Sequence, residues 1–151
     1  LTQLDDAIGA FNQAMKELAA NDSDFDYNNV VGFQASDFNR TWTPNGSNFD
    51  SSGTDHAWGT NAFLFGGPVN GSRIFGKIPQ LRIGGADDVP SGSRGRWIPT
   101  TAVEQYSAVL AKWLGVPPAD INTIFPNLSR FPDPFDISES GPNLDLIDFL
   151  A

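Results

Sequence analysis

The chain has 151 residues, enough for one domain with a core of reasonable size or for part of a larger one. Its 18 acidic and 9 basic side chains leave a formal charge of -9, which argues against nucleic acid as a partner because phosphate neutralisation needs clustered Lys and Arg. Cysteine is absent, so disulfides and thiolate metal sites are excluded, and no apolar run approaches the roughly 20 residues that span a bilayer.

From Leu1 to about Ala20, apolar residues recur every three or four positions (Leu1, Leu4, Ile8, Phe11, Met15, Leu18), the spacing of an amphipathic helix. The stripe starts at the first residue and leaves no room for a signal peptide, so a processed or incomplete chain is expected. The stretch NDSDFDYNN then places Asp22, Asp24 and Asp26 in alternation. A calcium loop starting at Asp22 needs Gly at its sixth position and Glu at its twelfth, where Tyr27 and Phe33 stand, so a solvated helix-to-strand loop is expected instead.

Asn29 to Ala35 (NVVGFQA) is short, apolar and β-branched, as a buried, parallel strand following a helix would be. It delivers SDFNRTW to its C-terminal edge, where ligands bind in α/β sheets. After a Gly/Asn/Ser-rich stretch, SGTDHAWGTNAFLFGG presents the single histidine, His56, in a turn ahead of a second buried strand. Between Pro68 and Pro99 lies a long loop-rich segment holding Arg73, Lys77, Arg82, Arg94 and Arg96, which either receives an anion or pairs with the surplus carboxylates.

The segment PTTAVEQYSAVLAKWLG reads as a helix with Thr101 and Glu104 as a capping box. Its expected apolar face is Val103, Tyr106, Leu110, Trp113 and Leu114, and Gly115 ends it. PPADINTIF reads as a shorter helix with proline at its start. From Phe131 the chain is acidic and Pro-rich, so the organisation expected is a body over 1–131 and a tail over 132–151 that docks on its own domain or on a neighbouring subunit. The sequons at Asn21, Asn39, Asn45, Asn70 and Asn127 are read as chance matches in a chain rich in Asn and Ser.

Asp37 and His56 are the best ligand candidates, since each adjoins an expected buried strand. Asp55 is adjacent to His56, and because successive residues do not easily aim at one ion, it is expected to orient the turn or support a ligand from behind. A catalytic zinc takes three protein ligands, typically with two or more histidines, so a chain with one histidine needs further ligands or a hard cation such as Ca²⁺ or Mg²⁺. No G-x-S-x-G elbow, P-loop or G-x-G-x-x-G follows an expected strand.

In order, ASDFNRTW, GTDHAWGTNAFLFGGPVNGSRIFG, RGRWIPTTAVEQYSAVLAKWLGV and INTIFPNLSRF resemble the C-terminal part of the bacterial exported domain-of-unknown-function family numbered fifteen hundred and one, related to the alkaline phosphatase and sulfatase superfamily. The resemblance implies an α/β fold, the C-terminal portion of an alkaline-phosphatase-like domain, with a short, mostly parallel sheet flanked by helices and long loops. It also implies export to the periplasm or the cell exterior by a twin-arginine signal on an N-terminal part outside this chain. Asp37 matches an aspartate that binds metal in that superfamily, and His56 a later histidine on the companion metal, with zinc, calcium or magnesium as the implied ion. Phe38 stands where a paired histidine is usual, and Ala62 departs from a histidine common in the family. Arg40 is the expected catalytic residue, stabilising an anionic oxygen of a phosphate or sulfate ester.

Two functional readings follow. One is a metal-dependent ester hydrolase portion, inactive alone and partnered by the missing N-terminal half. The other is a non-catalytic extracellular structural or binding subunit that self-assembles or joins other subunits, since half a parallel sheet leaves edges open to strand addition.

Overall fold

The computed structural model describes residues 2–59, 61–89, 93–131 and 150. The chain divides into two compact units, Leu1–Gln34 with Ala62–Arg73 and Phe149–Ala151, and Ala35–Asn61 with Ile74–Asp148. Apart from residue 150, the tail expected over 132–151 lies outside the described residues.

The first unit opens with helix α1, Thr2–Asn21, close to the span its periodicity predicts. Its residues differ in exposure along two rows. Ile8, Asn12, Met15 and Ala19 are half-buried, whereas Leu4, Phe11 and Leu18 stay 41 to 48% exposed, and no residue of the helix is fully buried. The inward side is held by the Tyr27 hydroxyl, which donates to Asn12 Oδ1 at 2.8 Å, and by an edge contact of Phe11 with Phe65 at 6.0 Å. The aspartates after the helix act locally. Asp22 Oδ1 accepts from the Asp24 N–H, and Asp26 caps a short 3₁₀ turn at Tyr27–Asn29 by accepting from the Asn28 N–H.

Strands β1 (Val31–Phe33) and β4 (Leu64–Gly66) form where the apolar runs predict them, but they pair antiparallel, with Val31 opposite Gly66 and Phe33 opposite Leu64. Both described sheets are two-stranded and antiparallel, which corrects the parallel pairing expected of these strands. The reason lies between them. A parallel pair needs a long crossover, usually a helix, and no helix occurs among the described residues of 34–63. Phe65 lies over Gly32 across the pair, so the strand glycine is covered by its neighbour's ring. At Gly66, φ is +138° and an added Cβ would collide with the Val30 carbonyl, so the strand can leave the pair only at a residue without a side chain.

In the second unit, β2 (Asn39–Arg40) and β3 (His56–Ala57) form the other pair. Helix α2, Val103–Trp113, starts one residue later than the expected box. Ala102 is the N-cap, and its N–H donates to the Gln105 side chain at 3.0 Å, while Glu104 instead accepts from Asn127 at 2.8 Å. Its buried face is Gln105, Ala108, Val109 and Leu110, a rotation away from the expected stripe, leaving Val103 and Leu114 at 70% and 74% exposure. The face shifts because Ala108 is small enough for α3 and the following turn to approach closely. Ile121 of α3 (Pro118–Ile124) and Leu128 of the 3₁₀ turn Pro126–Arg130 pack on it, flanked by Val116, Phe125 and Phe131. Burial pushes the Tyr106 hydroxyl up to about 12. The helix stops as expected at Gly115, with φ +89°. The Val116 N–H reaches the Ala111 carbonyl and the Gly115 N–H the Lys112 carbonyl, the bond pair of a Schellman motif.

Candidate functional site

The expected site residues surround the β2–β3 pair. Arg40 and His56 are direct cross-strand partners, and the ladder continues as the Thr41 N–H donates to the Asp55 carbonyl at 3.0 Å. Thr41 is 3% exposed, and its hydroxyl accepts from the Asp55 N–H and donates to the Thr43 carbonyl. This buried hydroxyl pins the chain entering His56. The turn before β2 is shaped by the Ser36 hydroxyl, which donates to the Phe38 carbonyl at 2.8 Å, and Asp37 lies exposed in that turn.

His56 is exposed at its edge, and one face of its ring is taken. The Phe38 ring stacks on it with centroids 3.8 Å apart and planes 18° apart. The Arg40 guanidinium sits 5.2 Å from the centroid of the same phenyl ring and donates to the Thr54 carbonyl at 2.9 Å. Phe38 thus joins a fixed cation to an imidazole on one ribbon. The sequence marked it only as the residue in place of a histidine, and its packing role depends on the strand register.

Asp55 is turned to another task. It accepts from Asn45 Nδ2 at 3.0 Å, is hydrogen-bonded by Arg94, and has Arg96 Nη2 at 3.8 Å from its Oδ2. The Asn45 hydrogen bond, joined by the Arg94 hydrogen bond and the two guanidinium charges, holds its carboxyl below the ordinary 3.8, while desolvation works the other way. Arg94 also donates to the Thr43 and Pro44 carbonyls, and Asn45 accepts from the Gly53 N–H, so one carboxylate ties a distant loop to the β2–β3 connection. For Arg94 and Arg96 the structure realises the pairing with surplus carboxylates.

A second carboxylate organises that loop. Asp88 is 3% exposed and accepts the N–H groups of Gly84, Gly95 and Arg96 at 2.9, 3.1 and 2.8 Å. These bonds, Gly84 foremost, lower its carboxyl below 3.8 against the opposing effect of burial. Gly95, at φ +73°, lies against Trp42 and Trp97, whose rings meet edge to face at 4.5 Å. Asp88 carries no motif around it, and only folding reveals its role.

The donor set bears on the metal that the resemblance implies. Asp55 has its oxygens engaged by an amide and two guanidinium groups, and Arg40 places a positive charge opposite His56 across the strands. No group of three or more His, Cys, Asp or Glu side chains that could hold an ion occurs among the described residues. Asp37 and His56 therefore do not fit a divalent metal site without donors from elsewhere.

Residues 1–91 match the family described as Protein of unknown function (DUF1501). The chain belongs to this family. The matched span takes in Asp37, Phe38, Arg40, Asp55 and His56 and stops before Arg94 and Arg96, so the two guanidinium partners of Asp55 fall outside the part that defines DUF1501 here. No curated protein and no solved structure matches the chain. Among the described residues, no helix is long and apolar enough to cross a membrane.

Proposed function

We propose that this DUF1501 chain is a non-catalytic, C-terminal portion of an exported sulfatase- or phosphatase-like protein, a binding or structural piece that does not hydrolyse esters by itself. The observation that carries this reading is the commitment of the donors beside His56: Phe38 stacks on its ring, Arg40 opposes it across the strands, and Asp55 is held by Asn45, Arg94 and Arg96. A hydrolase of the implied type needs several carboxylates and imidazoles on its ions, and here Asp55 and the ring of His56 are engaged by neighbouring side chains. The resemblance of the ordered motifs supports the kinship, and Arg40 beside His56 is the place where an anionic ester would be received in a fuller protein. Export to the periplasm or the cell exterior belongs to the same proposal.

The test is a titration of the purified chain with zinc, calcium and magnesium, with elemental analysis after dialysis, alongside turnover of p-nitrophenyl phosphate and p-nitrophenyl sulfate. The expected result is no stoichiometric metal and no turnover. Stoichiometric zinc that disappears in Asp37→Ala and in His56→Ala would overturn the proposal and restore the hydrolase reading.

A further inference from the structure

Arg94 and Arg96 answer to Asp55, but the other cations of the long loop-rich segment do not share that arrangement. No Asp or Glu stands between Asp55 and Asp87, and three of the nine basic residues, Arg73, Lys77 and Arg82, lie in that interval. Each is followed at once by an isoleucine: Ile74, Ile78 and Ile83. The three cations are exposed, and so are the aliphatic residues, with Ile74 at 69%, Ile78 at 58%, Leu81 at 49% and Ile83 at 45%. Single exposed apolar side chains are ordinary, whereas four in so short a stretch mark a contact surface. Among the described residues, none of the three cations forms an ion pair.

The backbone of this loop is tied to the second unit behind it. The Thr100 hydroxyl donates to the Lys77 carbonyl at 2.6 Å, and the Gln80 N–H donates to Asp87 Oδ2 at 2.6 Å. The Gly84 N–H donates to Asp88, the Arg82 N–H to the Gln80 carbonyl and the Gly85 N–H to the Arg82 carbonyl. Gly76 and Gly84, at φ +83° and +72°, turn the chain on either side of residues 77–83. Asp87 and Asp88, the nearest carboxylates in sequence, therefore serve backbone N–H groups and not the cations. The loop is anchored through its polar backbone and leaves its aliphatic and basic side chains in solvent.

Charge and order select the partner. Each cation adjoins an aliphatic residue, which suits the boundary of an anionic bilayer: the aliphatic groups enter between headgroups and acyl chains, and the flexible Lys and Arg stems keep their charges at the phosphates. Inward hydrogen bonds serve the same end, because backbone that enters this boundary must have its polar groups satisfied. We infer that the loop of residues 74–83 is a peripheral membrane-contact site that docks the chain on a bilayer bearing anionic headgroups. With few cations and no acyl anchor, the contact is reversible and sensitive to salt. The inference does not rest on the reading of His56 and its neighbours.

Co-sedimentation of the full chain with phosphatidylcholine vesicles, with and without about one third phosphatidylglycerol, is the test. Binding is expected to the anionic vesicles only, and it should fall as salt is raised. Lys77→Gln combined with Arg82→Gln should weaken it roughly tenfold or more, and Ile78→Ser combined with Ile83→Ser by a similar factor, which separates insertion from bare charge attraction. All four positions are exposed, and unchanged circular dichroism shows that each variant folds. In the parent, anionic vesicles should slow tryptic cleavage after Lys77 and Arg82 but not after Lys16. Absence of binding to anionic vesicles, equal binding to neutral ones, binding that survives either double variant, or protection at Lys16 alone would each overturn the inference, the first leaving the loop to a protein partner.

Discussion

At the scale of single residues, the acidic character of this chain is put to structural use at two carboxylates. Asp88 accepts three backbone N–H groups, and Asp55 gathers an amide and two guanidinium groups. Both carboxyls are lowered in the folded chain, so their contribution is present above the unfolded value of about 3.9 and is lost as pH falls through the lower folded value. Hydrogen exchange should therefore show the Gly84, Gly95 and Arg96 amides losing protection below about pH 4, beyond the intrinsic pH trend. Asp88→Ala should abolish that protection already at neutral pH; unchanged protection in this variant would rule out the role given to Asp88. The sequence signalled the arginines as a cluster but not their partners, because a contact between positions 39 residues apart, Asp55 and Arg94, leaves no local pattern.

At the scale of elements, local chemistry decided where structure starts and stops. The α1 periodicity, the two apolar runs and the Gly115 stop all predict the observed elements, since helix and strand periods and a left-handed cap are properties of neighbouring residues. Strand direction was not legible in the same way, because an apolar run reads alike whichever way its partner lies. The glycine that ends β4 offers a test of that pair. Gly66→Ala places a side chain at φ +138° against the Val30 carbonyl, which should cost about 1–3 kcal/mol from backbone strain alone. Gly71→Ala, where the nearest atom is Val69 O at 3.9 Å, should melt close to the parent. Thermal denaturation of both variants checks the contrast, and equal melting temperatures would contradict the tight passage at Gly66.

At the scale of the whole molecule, the apolar content of the chain is spread thinly. The second unit has a small core at Ala108, Ile121 and Leu128, with Leu128 only 1% exposed, whereas the first contributes no buried residue from its 20-residue helix. Leu128→Ala should lower stability by about 2–5 kcal/mol, read as a fall in the urea midpoint, because the small cluster has little means of collapsing around the cavity. A change under about 1 kcal/mol would mean that this cluster is not where the unit's stability resides. The sequence by itself determined the acidic charge, the absence of thiol chemistry, the positions of the main helices and strands, and a lone histidine too few for a zinc site. Only the tertiary structure decided that β1 and β4 run antiparallel, that α2 turns Ala108 rather than Val103 and Leu114 to the core, and that Phe38 stacks on His56 while Asp55 answers to Arg94. Those outcomes rest on contacts between residues far apart in the chain. Their energies depend on register and distance, which composition and periodicity do not encode.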